Sequence, residues 1–316
     1  MASKTCLVTI TDPEFSIGTE VLLYSFRKYN PGFEGDVIVI CDDLPDEHRA
    51  RIRAVSPARF EAPDPRLFEA VQCLQHAEPR LEGIYRRLFS LEAFRLPGHE
   101  RVVYLDSDVY CAGDVSALFS AEAPLLACPD GFTYAEQIEA RLENRLPQPR
   151  ERYGRAFARS FNAGVLSIGP PLLGEETYHE LLGWLRPDQW KAFAPGKFTD
   201  QMLLNVHFNG DFTPLAAEFN YMVFLEAYQK LCERVSFLDA RLVHFAGSLK
   251  PWFEYDREVL AQRAPQFLKF FDAWRELLDE ARGVEDVTEV KSRFRRQQDW
   301  IRGHNEDPIE PIGRLY

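Results

Sequence analysis

Two carboxylates two residues apart at the end of an apolar run are the first chemistry in this chain. In Arg101 to Tyr110, RVVYLDSDVY, the residues Val102, Val103, Tyr104 and Leu105 read as a buried strand, and Asp106 and Asp108 follow where it ends. Side chains two apart on an extended backbone point the same way, so both carboxylates can reach one hard cation from the rim of a sheet. The plain alternative is a strand-to-turn junction in which either aspartate bonds its own backbone. A second stretch with chemistry is His244 to Trp252, HFAGSLKPW. The His244 imidazole can add a nitrogen ligand to a cation held by the two aspartates, a donor mixture suited to manganese or another first-row ion. Gly247 lets the loop turn closely round a ligand, Lys250 can hold a phosphate as a mobile positive charge, and Trp252 could wall a pocket. A satisfied histidine at a strand end and a surface lysine is the alternative there.

The elements that must position these groups alternate in type. Cys6 to Thr11 reads as a first strand, Asp12 to Gly18 as a polar turn, and Val21, Leu22, Ser25 and Phe26 carry a helical pattern closed by Asn30, Pro31 and Gly32. Asp36 to Cys41 gives a second strand and Leu44 to Val55 a second helix. A loop between a first strand and its helix is a usual place for a nucleotide in an open α/β sheet, although neither GxGxxG nor GxxxxGK[ST] occurs. Arg80 to Leu96 reads as a helix stopped by Pro97 and Gly98, with Arg86 and Arg87 adjacent. One of those arginines could oppose a diphosphate, against solvent exposure or pairing with Glu82 or Glu92.

Ala123 to Cys128 reads as another strand, after which Glu136 to Arg159, dense in charge and containing Pro147 and Pro149, breaks the rhythm. It is either a flap over the site or a surface insertion. Phe161 to Gly169 returns to a strand with Asn162 and Gly164 at its approach, Gly164 permitting close backbone approach. Tyr178 to Trp190 reads as a helix closed by Pro187, with a break near Pro195 and Gly196. Thr199 to Val206 reads as a helix with Thr199 as N-cap and with Asp200 and Gln201 in its first turn. Arg241 to His244 is a last short strand, and Phe253 to Ala281 is largely helical. A separate stretch, Val290 to Arg302, suits either packing on the domain or a helix at a membrane surface.

Composition bounds the partners. The 316 residues suit one large domain, residues 1–281, with a C-terminal extension over 282–316, and 46% hydrophobic with 27% charged residues is an ordinary globular balance. A formal net charge of -12 argues against non-specific nucleic-acid binding and requires that any anionic substrate be met by metal or local basic groups. No signal peptide and no run of eighteen apolar residues is found, so no transmembrane segment is expected. The six cysteines are dispersed, and Cys6, Cys41 and Cys128 sit in or beside apolar runs, which favours buried thiols and a reducing cytoplasm.

Several motifs in this order resemble glycosyltransferase family eight, the retaining sugar transferases that include glycogenin and bacterial lipopolysaccharide glucosyl- and galactosyltransferases. YLDSDV at Tyr104 to Val109 is similar to the family's metal-binding DxD segment, and YRRL at Tyr85 to Leu88 to its YxRL, which selects Arg87 over Arg86. FNAGV at Phe161 to Val165, TDQMLLN at Thr199 to Asn205 and HFAGSLKPW resemble its sugar-contacting, DQxxLN and HxxGxxKPW segments. The resemblance implies a type A glycosyltransferase fold, a Rossmann-like mixed sheet flanked by helices, with a helical C-terminal extension. It implies that Asp106, Asp108 and His244 hold Mn2+, with Mg2+ as the substitute, against a UDP-sugar donor. Thr9, Thr11 and Asp12 would line the nucleoside side, and Arg87, Ser107, Gly247 and Lys250 would hold the donor. Asp130, Asn162, Asp200 and Gln201 would surround its sugar, with Asp200, Gln201 and Lys250 carrying the chemistry. The implied reaction moves a hexose, glucose ahead of galactose, to a glycan, lipid-linked, protein or small-molecule acceptor, with retention at the anomeric carbon. A metal-dependent nucleotidyltransferase or diphosphate hydrolase, and a silent sugar-nucleotide-binding protein, are the other readings. Oligomeric state and peripheral membrane contact stay open.

Overall fold

The computed structural model describes residues 5–96, 98–152, 155–192, 199–253 and 257–283. Its first strand, β1 (Thr5–Ile10), holds Cys6, Leu7 and Val8 with no exposed surface, the two-sided burial of a central parallel strand. The expected alternation follows as α1 (Ser16–Tyr29), β2 (Asp36–Ile40), α2 (Asp46–Val55), β3 (Arg59–Glu61) and α3 (Pro65–Ala77). Arg80 to Leu96 is not the expected α-helix. It forms two 3-10 segments, Pro79–Leu81 and Tyr85–Phe94. Leu88, Leu91 and Phe94 are three apart, the 3-10 period, and every residue from Leu88 to Phe94 is buried, including Glu92. The Glu92 carboxylate accepts from Asp64 N–H, Tyr178 Oη and Arg95 Nε, which ties the segment to its neighbours.

Next come β4 (Arg101–Leu105), β5 (Val109–Cys111), α4 (Ala117–Ser120), β6 (Leu125–Pro129) and α5 (Gly131–Leu142). A hairpin, β7 (Arg150–Arg152) and β8 (Arg155–Phe157), leads to β9 (Phe161–Ile168). The charged segment over Glu136 to Arg159 therefore holds the second half of α5 and the β7–β8 pair, with irregular chain between them. Its charges are spent on one another, with Arg145 and Arg150 both pairing Glu136. The helix expected over Tyr178 to Trp190 is two, α6 (Glu175–Gly183) and α7 (Pro187–Lys191), and Pro187 opens the second instead of closing the first. Then follow α8 (Asp200–Phe208), β10 (Thr213–Pro214), β11 (Tyr221–Met222), α9 (Glu226–Glu233), β12 (Leu242–His244), α10 (Arg257–Arg263) and α11 (Leu268–Arg282). The readings at Pro195 and Gly196 and over Val290 to Arg302 lie outside the described residues.

The main sheet runs β10-β6-β9-β4-β1-β2-β3, with β1 parallel to both β2 and β4, and β9 antiparallel to β4 and β6. After β1 the chain winds one way to β2 and β3, and β4 lies on the other side, so a crevice opens at the carboxyl ends of β1 and β4. Asp106 sits on that rim. A smaller sheet, β11-β12-β5, stands beside it and pairs His244 with Val109. Cys6, Cys41, Cys111 and Cys128 are buried free thiols, as expected for the three of them singled out by sequence. Among the described residues no helix is long and apolar enough to cross a membrane.

Candidate metal and donor site

Asp106 N–H bonds Gly164 O at 2.8 Å, and Val109 N–H returns to Asp106 O at 3.1 Å, so a tight turn swings Asp108 back beside Asp106. The pairing of β5 with β12 brings His244 to the same point. Ligand atoms of Asp106, Asp108 and His244 all lie within 4.8 Å of one another, with His244 Nε2 3.1 Å from Asp108 Oδ1 and 3.6 Å from Asp106 Oδ2. Tyr104 Oη donates to Asp106 Oδ1 at 2.6 Å and fixes that carboxylate's plane. The floor is Gly164, where a Cβ would stand 2.3 Å from His244 Cε1 and 2.6 Å from Asp106 Oδ2. The close approach expected of this glycine is therefore an approach to the ligand side chains. Buried Asp108 Oδ1 has no hydrogen-bond partner and faces His244 Nε2. Two carboxylates, one imidazole, an orphaned oxygen and a glycine cradle together fit a divalent cation.

Charge is balanced unevenly. Burial, and then the charge of Asp108, pushes Asp106 up to about 6. Burial works the same way on Asp108, but Lys250 and His244 outweigh it and hold that carboxyl well below the usual carboxylate range. Lys250 is no surface lysine: only 4% exposed, it pairs with Asp108 Oδ2 and donates to Phe245 O at 2.6 Å. Gly247 takes φ +95° within this loop, as its turn requires.

On the other side of Gly164 lie the residues assigned to the sugar. Asp200 opens α8 and accepts from Ser90 Oγ and Thr199 Oγ1, both at 3.1 Å. Thr199 occupies the N-cap position, yet its hydroxyl serves Asp200 and not a backbone N–H. Burial raises the Asp200 carboxyl, opposed first by the Arg87 charge. Gln201 Nε2 reaches Asp130 Oδ2 at 3.4 Å, and Asn162 Nδ2 donates to Gln201 Oε1 at 2.9 Å. Asp130 also caps α5, accepting from Phe132 N–H, Thr133 N–H and Ser160 Oγ. One member of this cluster was given no role by the sequence. Asn220, fully buried just before β11, bonds both Asn162 Oδ1 and His244 Nδ1 at 2.9 Å.

Arg86 and Arg87 have different surroundings. Arg86 Nε is held by Asp42 at 2.8 Å, whereas exposed Arg87 has its charge felt at Asp200. Thr9, Thr11 and Asp12 end β1 on the same rim but make local bonds: Thr9 to Ile10 O, Thr11 with Thr19, and Asp12 Oδ1 with the N–H groups of Glu14 and Phe15. None of the three bonds the aspartate pair. Ser107 is buried, and its carbonyl abuts Gly18 of α1.

Residues 6–256 match the family model of glycosyl transferase family 8. The chain belongs to that family. Among its relatives are a glycosyltransferase GlyF of Streptococcus pneumoniae, 27% identical over 61% of this chain and 42% of its own length, and galactinol synthase 1 of Arabidopsis thaliana, 23% identical over 72% and 65%. The lipopolysaccharide 1,2-glucosyltransferase of Escherichia coli is 24% identical over 72% and 65%. The chain thus spans between 42% and 65% of the length of these curated relatives. Galactosyltransferase LgtC superposes with TM-score 0.60 at 18% identity, over 91% of this chain and 99% of that one. The bifunctional glycosyltransferase WbbM superposes with TM-score 0.61 at 17% identity, over 93% and 52%. These likenesses establish the type A glycosyltransferase fold, a mixed Rossmann-like sheet with helices on its faces, the described residues ending in the helices α10 and α11.

Proposed function

We propose that this chain is a retaining hexosyltransferase that moves a hexose, glucose ahead of galactose, from a UDP-sugar to an acceptor hydroxyl with Mn2+. The observation that carries the reading is the convergence of Asp106, Asp108 and His244 on one point at the crevice between β1 and β4, with Asp108 Oδ1 left without a partner. Family membership supports the class of reaction. When bound there, a divalent cation supplies positive charge against the diphosphate. Mg2+ is the substitute ion.

The protein's own groups divide the remaining work. The bond from anomeric carbon to phosphate oxygen breaks, and negative charge grows on the departing diphosphate, where Lys250 and Arg87 stabilise it. Lys250 must first exchange its Asp108 partner for phosphate. Positive charge grows on the sugar, facing the carboxylates of Asp200 and Asp130 and the amides of Asn162 and Gln201. An acceptor hydroxyl enters on the face the diphosphate leaves and gives its proton to a phosphate oxygen, so configuration is retained without a dedicated protein base. Covalent capture by Asp200 is the second route, open to a carboxylate that reaches the carbon. Thr9, Thr11 and Asp12 line the nucleoside end, Ser107 and Gly247 the diphosphate end. The acceptor is a glycan, lipid-linked molecule, protein or small molecule.

Mass spectrometry of the products after incubation with Mn2+ and separate UDP-sugars tests the proposal. UDP release selective for one donor, with the sugar hydrolysed or transferred, is the expected result. Monophosphate products would replace the reading by a nucleotidyltransferase or hydrolase. Metal-dependent binding with no release across donors and a broad acceptor set would replace it by a binding protein.

A further inference from the structure

Asn220 belongs to none of the motifs above, yet it joins the cation site to the sugar side. A continuous series of side-chain hydrogen bonds runs from His244 through Asn220, Asn162 and Gln201 to Asp130. The oxygen and nitrogen of an amide look alike, so the direction of such a series has to be argued from an unambiguous neighbour. The Gly164 backbone is that neighbour. Its N–H donates to Asn162 Oδ1 at 3.0 Å, so the atom it meets is an oxygen. The Asn220 atom 2.9 Å from that oxygen must then be the donor Nδ2, which leaves Asn220 Oδ1 facing His244 Nδ1. An amide oxygen only accepts. His244 therefore carries hydrogen on Nδ1 and presents Nε2 to Asp106 and Asp108. The far end agrees, since Asn162 Nδ2 then donates to Gln201 Oε1, and Gln201 Nε2 points at the Asp130 carboxylate.

The same direction explains the orphaned oxygen. In the neutral ring Nε2 is an acceptor, and it faces Asp108 Oδ1, another acceptor, at 3.1 Å. Two lone pairs this close can be offered together to one cation beside them. Asn220 is itself held rigidly, its N–H on Ala217 O at 3.1 Å and its carbonyl accepting from buried Gln229 Nε2 at 2.8 Å. Gln229 Oε1 in turn takes Met222 N–H at 3.0 Å.

We propose that Asn220 is a positioning residue for the cation site: it fixes His244 in the Nδ1–H form and orientation that aim Nε2 at the cation, and it ties that ligand to Asn162. The inference rests on the cation reading of the Asp106, Asp108 and His244 cluster. A histidine ligand whose second nitrogen is anchored in this way binds metal more tightly.

Two measurements on the intact chain test it. Nitrogen NMR of the metal-free protein at alkaline pH, with His244 assigned by its loss in His244→Gln, should show hydrogen on Nδ1. Asn220→Leu should move the ring towards the Nε2–H form. Calorimetric titration with Mn2+ alone should show about a 10–100-fold loss of affinity in Asn220→Leu. Asn220→Asp, whose carboxylate still accepts from Nδ1 but cannot donate to Asn162 Oδ1, should keep the Nδ1–H ring. In the His244→Gln background Asn220→Leu should add nothing further. An Nε2–H ring in the unaltered chain overturns the proposal whether or not the leucine variant folds. So does an Asn220→Leu protein with unchanged tautomer and Mn2+ affinity. If the unaltered chain binds no Mn2+, the cation reading falls, and the NMR result still decides the role of Asn220.

Discussion

Asp106 and Asp108 sit two residues apart and titrate in opposite directions. The raised Asp106 carboxyl, at about 6 against an ordinary 3.8, keeps its proton in the folded metal-free protein across a range where the unfolded chain has lost it. Its contribution to stability is thus present below the ordinary value and is lost as pH rises through the folded one. A cation must displace that proton, so Mn2+ affinity should rise roughly five-fold from pH 5 to pH 6 through this group and level off above. Calorimetry at each pH checks this, and Asp106→Asn, weaker throughout, should lack the Asp106 share of the step. Lys250 gives a second prediction. Lys250→Met leaves Asp108 without its buried countercharge, so the metal-free protein should lose about 3–5 kcal/mol in urea unfolding, and saturating Mn2+ should recover part of it. Equal losses with and without Mn2+ would show that Lys250 acts only by packing.

Elements meet the site through close approaches. Helix α1 docks on the turn between Asp106 and Asp108 at Gly18, where a Cβ would stand 2.3 Å from Ser107 O and 2.8 Å from the Trp252 ring. A backbone carbonyl cannot yield cheaply, so Gly18→Ala should cost about 1–3 kcal/mol and weaken Mn2+ binding by displacing the turn. Gly32→Ala, with nothing within 4 Å of the new atom, should do neither. Thermal melts of both variants beside Mn2+ titrations make the comparison. Trp252 lies edge-on to Phe15 with centroids 5.3 Å apart, so the loop carrying Lys250 is clasped to the start of α1.

Across the whole molecule, the C-terminal helix is tied back to the N-terminal one. Arg282 makes two bonds to Glu20, at 2.8 and 2.9 Å, and Glu20 in α1 is only 3% exposed. Trp274 of α11 backs Trp252 at 5.8 Å between centroids. Arg282→Ala should therefore cost about 3 kcal/mol by leaving Glu20 buried and unpaired, while Glu20→Gln with Arg282→Ala should recover part of it. Urea unfolding of the two proteins decides, and equal losses would place the stabilisation in packing alone.

The sequence by itself determined the elements whose patterns are local. The apolar runs of β1, β2, β4 and β9 and the order of the acidic, Asn-Ala-Gly, Asp-Gln and His-Lys segments are legible because they follow from periodicity and side-chain type. Spacing read the coil over Tyr85–Phe94 as an α-helix, since an i, i+3 pattern suits both an α-helix and a 3-10 segment, and three-residue backbone bonds such as Arg87 N–H to Ile84 O made it the latter. The stretch after Asp130 showed no element in one dimension, because its regular pieces are short and its charges pair between them, Arg145 and Arg150 both with Glu136 of α5. Only the tertiary structure brought His244 within 3.1 Å of Asp108, gave Arg86 to Asp42 while leaving Arg87 exposed, and set Asn220 between His244 and Asn162. Each of those depends on strand register and on hydrogen-bond direction between residues distant in sequence, and neither leaves a mark on local composition.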